Sequence, residues 1–384
     1  MTRRLGWGYS PIFHLGPFDG IVARSGGVLS CSSVVQTQNR CGMVPVKEQF
    51  SGCLVGHCLG DALAAPWVGQ SPKDCAGYVA EQLTDSFFTG GGDAAMPLVY
   101  SANARLTREL LLSLRTHQRW VASDYVSRMV ALLKAEQLPS CGRATHDSIA
   151  RLAHGTPWSE AGMPSPSASC GSALRAAPLG LFFRDDPQAM IKAAREQSLM
   201  THQDVRCAAG AVAIAGAVSL LLSQKTQPLA IEPFLAQLSE WVGTVEQTVA
   251  FDIYQLSAWV TLSPDAAALF LVKAGLCPGY RPESSAADHA EWSGISSYVV
   301  ASVLWTLYSF LRSPTDFRQA LGTAISVGGE VGGVAAMVGA LAGAFLGRSA
   351  LPGLLIQRLS DGGSWSGAAL IELAEDCAAP RALG

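Results

Sequence analysis

From Val46 onward, apolar residues recur at three- and four-residue intervals, with polar residues between them. That is the period of a helix with one face buried. EQFSGCLVGHCLGDALAAPW holds the pattern until Pro66 stops it. The same spacing predicts helices over 104–120, 123–138, 146–155, 186–200, 231–247, 264–274, 296–312, 315–326, 331–347 and 367–376. THQDVRCAAGAVAIAGAVSLLLSQ (201–224) opens with Thr201 and Asp204 at the spacing of a capping box. No run alternates in the two-residue period of a strand, so the expected fold class is all-α.

Residues 1–46 lack sustained periodicity and are rich in Gly, Ser and Pro. They read as an irregular extension ahead of one helical domain, 47–384. The stretches 84–95 and 155–172 are long for connections in a compact helical protein, which makes them candidate functional loops.

The chain has 384 residues, 49% hydrophobic and 15% charged, enough apolar material for a large core. Its net charge of −3 and the absence of Lys/Arg blocks argue against nucleic acid as a partner. Ten cysteines contain no C-x-x-C pair and no zinc spacing, which fits a reducing cytosol and a cytoplasmic location. MTRRLGWGYSPIF is basic at its start but is followed by no continuous apolar stretch, so no secretory leader is expected. The apolar run 207–222 is short for a membrane span, and 325–347 carries Glu330; no membrane partner is expected.

Four stretches hold the candidate chemistry. In GCLVGHCLGDALAAP (52–66), Gly60 and Asp61 are poor mid-helix residues. Close packing at Gly60 and a hydrogen bond from Asp61 to a neighbouring backbone end would account for them. FFTGGGDAAMPL (87–98) reads as a glycine turn leading to Asp93 and an apolar helix. SPSASCGSALRAAPLG (165–180) is either an ordinary loop or one whose backbone N–H groups meet an anion, with His202 of LMTHQD (199–204) beside it. ISVGGEVGGVAAM (325–337) sets Glu330 between two glycine pairs, as a helix-start charge or as a ligand.

In this order, GCLVGHCLGDALAAP, CGSALRAAPLGLFF with LMTHQD, SGISSYVVASVLWTLYSFLRSPTDFRQAL and ISVGGEVGGVAAMVGALAGAFLGRSALP resemble the ADP-ribosylglycohydrolase family, related to dinitrogenase-reductase-activating glycohydrolase. The resemblance runs from about residue 47 to about 355. It implies a compact orthogonal multi-helix bundle. It also implies cleavage of the glycosidic bond between ADP-ribose and an arginine, serine or related acceptor. Two magnesium ions, held by acids from three loops, would polarise the substrate and activate water.

This chain departs from the family at that metal site. The first-loop acid is matched by Val68. The T-D-D-T motif is matched by Gly91, Gly92, Asp93 and Ala94, and the final D-T-D-T by Glu330, Val331, Gly332 and Gly333. Asp93 and Glu330 are thus the expected remnants. They should face one cleft and hold magnesium weakly or not at all, with Asp85 and Thr89 as substitutes only if their loop is rearranged. The ligand loops are better kept. The resemblance assigns Ser167 to the diphosphate and His202 to the nucleotide, and implies that the backbone N–H groups of Ser169, Cys170 and Gly171 face the diphosphate. The expected function is binding of ADP-ribose, a related nucleotide or an ADP-ribosylated protein, with hydrolysis lost or strongly reduced. The alternatives are an active hydrolase with a non-standard metal site and a non-enzymatic scaffold.

Overall fold

Glycines spaced four apart organise the centre of the molecule, seen in a computed structural model that describes residues 44–89, 98–139, 141–224, 228–274 and 294–378. The side chains of 272–274 are outside this description. The chain forms α1 (Val46–Ala64), α2 (Pro72–Glu81), α3 (Asp85–Phe88), α4 (Ala102–His117), α5 (Ala122–Lys134) and α6 (Arg143–Ala153). Next come α7 (Gly171–Leu174), α8 (Ala177–Phe182), α9 (Pro187–Leu199), α10 (Val205–Ser223), α11 (Ile231–Gly243) and α12 (Gln247–Trp259). The last six are α13 (Pro264–Ala274), α14 (Val299–Arg312), α15 (Phe317–Ser326), α16 (Val331–Leu346), α17 (Gly353–Arg358) and α18 (Gly367–Cys377). Among the described residues the sheet content is one parallel pair, β1 (Leu98–Val99) with β2 (Leu359–Ser360). The fold is all-α, as the periodicity predicts.

α1 and α16 cross antiparallel in near-backbone contact. A Cβ on Gly52, Gly56 or Gly60 would collide with the carbonyl oxygens of Gly343, Gly339 and Ala335 respectively. Only small residues allow two helix backbones to approach this closely. The pairing has a functional consequence. It sets the C-terminal end of α1 beside the N-terminal end of α16, where the segments around Val68 and Glu330 begin.

α10 and α16 are apolar all round because they are buried all round. The 19-residue α10 is long and apolar enough to cross a membrane, but 78% of its 18-residue apolar window is buried inside the protein. Cys53, Cys58, Cys75, Cys141, Cys170 and Cys207 are buried and free, behaving as small apolar side chains.

Three local expectations are corrected. Asp204 is itself the N-cap of α10, accepting from the Arg206 N–H, and the Thr201 hydroxyl is used elsewhere. After the glycine run at 90–92, Leu98–Val99 is a strand, and the helix starts only at Ala102 behind its cap Ser101. α14 begins at Val299 rather than 296, because the residues before it are extended and paired with two other loops.

Candidate functional site

Five segments are tied to one another by backbone hydrogen bonds at one end of the α1–α16 pair. Gly69 N–H donates to Gly329 O (2.8 Å) and Gly329 N–H to Gln70 O (2.9 Å), joining the loop after α1 to the start of α16. Ile295 N–H donates to Gly328 O (2.9 Å) and Glu330 N–H to Ile295 O (2.8 Å), adding the segment before α14. Cys170 N–H donates to Ser297 O (2.8 Å) and Val299 N–H to Ala168 O (2.9 Å), adding the segment before α7. Met163 N–H to Thr201 O (2.9 Å) and Gln203 N–H to Met163 O (2.8 Å) bring in 201–203. Gly328 and Gly329 have φ of +72° and +78°, and a Cβ on either would strike neighbouring backbone. The first glycine pair of GGEVGG is therefore a turn requirement.

The second pair has another neighbour. A Cβ on Gly332 would stand 2.9 Å from Val68 Cγ2, and one on Gly333 would stand 3.5 Å from Cys170 Sγ. Val68, Gly332, Gly333 and Cys170 thus share one place, beside the N-cap residue Glu330. Glu330 makes no side-chain cap bond. The residue is exposed, yet the protein around it desolvates its carboxyl and raises its pKa. Burial also pushes the nearby Cys170 thiol up to about 11, leaving it protonated.

The positions matched to magnesium ligands do not fit a two-ion site. Magnesium takes several oxygen ligands in near-octahedral array. Val68, Gly332 and Gly333 bring no side-chain oxygen, and Glu330 brings one carboxyl. No group of three or more His, Cys, Asp or Glu able to hold a metal occurs among the described residues. Asp93 and its neighbours Gly91, Gly92 and Ala94 lie outside the described residues, so its facing of Glu330 is not on view. Asp85 is an exposed partner of Arg318 (2.9 Å), and the Thr89 hydroxyl returns to its own helix at Asp85 O (2.9 Å).

The predicted ligand residues lie side by side. Ser169 Oγ is 2.7 Å from His202 Nε2, and a Cβ on Gly171 would stand 3.2 Å from His202 Cε1. Ser167, Ser169 and Gly171 are half-buried, and Cys170 and His202 are buried. One expectation changes: the Cys170 N–H is committed to Ser297 O and cannot serve an anion. His202 is no ordinary cap-region residue. It is fully buried, and burial, then Arg175, hold its pKa down to about 3, so it is neutral.

Arg175 does not line an anion loop. It is buried, and binds Gly171 O (2.9 Å), Gln197 Oε1 (2.9 Å), Gln197 O (3.3 Å) and Thr201 Oγ1 (2.5 Å). Asp204 is clamped by Arg206 through two bonds of 2.7 Å and by Ser165 Oγ (2.8 Å). Burial pushes its carboxyl up, but these bonds together hold it below the usual value. The sequence pattern gave Thr201 only a capping role, and it did not mark Ser296, Ser297 and Ser302, which hold the segment before α14 against Cys170. The cluster of small polar residues in SGISSY was the available signal.

Asp61 follows its plainer reading. It accepts from the Ser101 N–H (2.5 Å) and hydroxyl (2.9 Å), at the start of α4. Burial raises its pKa to about 6 against those two bonds.

Comparison with known proteins agrees with this architecture. The chain is 22% identical over 206 residues to an uncharacterized protein of Archaeoglobus fulgidus, a match spanning 54% of this chain and 66% of that protein. A solved structure described as an ADP-ribosylglycohydrolase-related protein complex superimposes with a TM-score of 0.59 at 21% identity. That likeness covers 86% of this chain and 97% of the other, and it concerns the fold. The family model for ADP-ribosylglycohydrolase matches residues 43–383, a span that contains every described residue; the protein belongs to the ADP-ribosylglycohydrolase family.

Proposed function

We propose that this protein binds ADP-ribose, or a closely related nucleotide, in the cleft bounded by 167–171, 202 and 330–333, and that magnesium-dependent hydrolysis is lost or strongly reduced. The observation that carries this reading is the meeting of Val68, Gly332 and Gly333 beside Glu330. Positions that would supply oxygen to paired ions instead supply an isopropyl group and two hydrogens. One carboxylate supplies at most two of the several oxygen ligands that magnesium requires, so it is a poor site by itself. Ser169, Gly171 and His202 support the binding half: they stand together at the end of a buried polar network. ADP-ribosylated proteins are the natural macromolecular source of such a ligand.

Two assays test the reading. Calorimetry with ADP-ribose measures binding, and release of ADP-ribose from a modified peptide in the presence of magnesium measures turnover. Binding without release is expected. Robust magnesium-dependent release would return the protein to the hydrolases, with ligands contributed from elsewhere. Absence of binding would leave a scaffold.

A further inference from the structure

Arg175, Thr201, His202 and Ser169 form one hydrogen-bonded line. Arg175 Nη2 donates to Thr201 Oγ1 (2.5 Å), Thr201 Oγ1 lies 2.8 Å from His202 Nδ1, and His202 Nε2 lies 2.7 Å from Ser169 Oγ. The first three are buried, at 1%, 0% and 0% exposure, and Ser169 alone reaches accessible surface.

The direction of the protons follows from counting donors. Among the described residues, Thr201 Oγ1 has two partners, Arg175 and His202. Arg175 can only donate, so the sole acceptor for the buried Thr201 proton is His202 Nδ1. A neutral imidazole carries one proton, which must then sit on Nε2 and be donated to Ser169 Oγ. Ser169 accepts there, and its own proton is left without an acceptor among the described residues.

The charge behind the line is also unusual. Among the described residues, Arg175 meets two carbonyls, an amide oxygen and a hydroxyl, but no carboxylate. A buried cation with only neutral partners projects its field along the line toward the accessible end. In a hydrolytic triad the far group is a carboxylate, which stabilises the imidazolium; here a cation destabilises it. Ser169 is therefore not an activated nucleophile.

We propose that Arg175, acting through Thr201, locks His202 in its Nε2–H tautomer and makes Ser169 a hydroxyl donor to an anionic phosphoryl oxygen of a bound ligand. Arg175 and Thr201 are positioning residues, and Ser169 is the contact. The ligand part rests on the proposed binding of ADP-ribose; the tautomer part does not.

The test pairs spectroscopy with calorimetry on the full chain. Nitrogen-15 NMR of labelled histidines, with His202 assigned by loss of its signals in His202→Asn, should show Nε2–H and no titration between about pH 5 and pH 8. An Nδ1–H tautomer, or titration in that range, overturns the proposal without any ligand being added. Thr201→Val should abolish the single tautomer and weaken ADP-ribose about tenfold, with Thr201→Ser restoring both. Ser169→Ala should cost a similar factor while His202 keeps Nε2–H. If the unmodified protein binds ADP-ribose but Ser169→Ala binds it equally well, this inference fails and the binding reading stands. If the unmodified protein binds none, the binding reading fails and the ligand part falls with it, while the tautomer still decides the rest.

Discussion

The Cγ2 methyl of Val68 occupies the space into which any side chain at Gly332 would grow. The two positions that the resemblance matches to magnesium ligands, more than 260 residues apart in sequence, are therefore packing neighbours. Gly332→Asp alone should not create a magnesium site. It should displace the exposed Val68 side chain rather than gather further oxygen ligands. The joint replacement Val68→Glu, Gly91→Thr, Gly92→Asp, Ala94→Thr, Glu330→Asp, Val331→Thr, Gly332→Asp and Gly333→Thr should gain magnesium affinity by calorimetry. Magnesium binding by the single variant would contradict the coupling.

Gly171 should tolerate no side chain if ligand is to bind. A Cβ there would stand 2.8 Å from Thr145 Oγ1 and 3.2 Å from the His202 ring. Gly171→Val should push His202 away from Ser169 and reduce ADP-ribose affinity at least about tenfold. Unchanged affinity by calorimetry would contradict the placement of the ligand.

Much of the fold was legible in the sequence because most helices bury one stripe or all sides. The misses have physical reasons. The predicted helix 231–247 ends at Gly243, and α12 starts afresh at Gln247 with Glu246 as its cap, accepting from the Val249 N–H. The apolar period continues across that break, so the sequence pattern did not mark it. The α1–α16 contact is written as small residues at every fourth position, Gly52, Gly56 and Gly60 against Gly343, Gly339 and Ala335; the sequence showed close packing at Gly60 but not the partner helix. The buried role of Arg175 was illegible because its partners Gln197 and Thr201 lie on separate segments, and only the folded chain brings them together.

The glycine contact predicts a stability effect far from the ligand loops. Gly56→Ala puts a methyl group into the Gly339 carbonyl, with backbone on both sides and no side chain to move aside. The variant should lose about 1–3 kcal/mol or more in denaturant unfolding. A neutral result would mean that the two helices are farther apart than described.

Asp61 predicts a pH dependence of definite sign. Burial raises its folded pKa from the ordinary aspartate value of 3.8 to about 6. The folded state thus binds this proton more tightly than the unfolded chain. The resulting stabilisation is full below about pH 4 and fades as pH rises through about 6. The difference in unfolding free energy between the native protein and Asp61→Asn should shift by about 2–3 kcal/mol across that window, against the native protein at higher pH. A flat difference would show that Asp61 titrates normally.

The central claim is that the nucleotide cleft outlasts the metal chemistry. Its most direct test is calorimetric titration of ADP-ribose into the unmodified protein, once with magnesium and once with a chelator. The account predicts saturable binding with the same affinity in both. Binding that requires magnesium, or none in either condition, would contradict it.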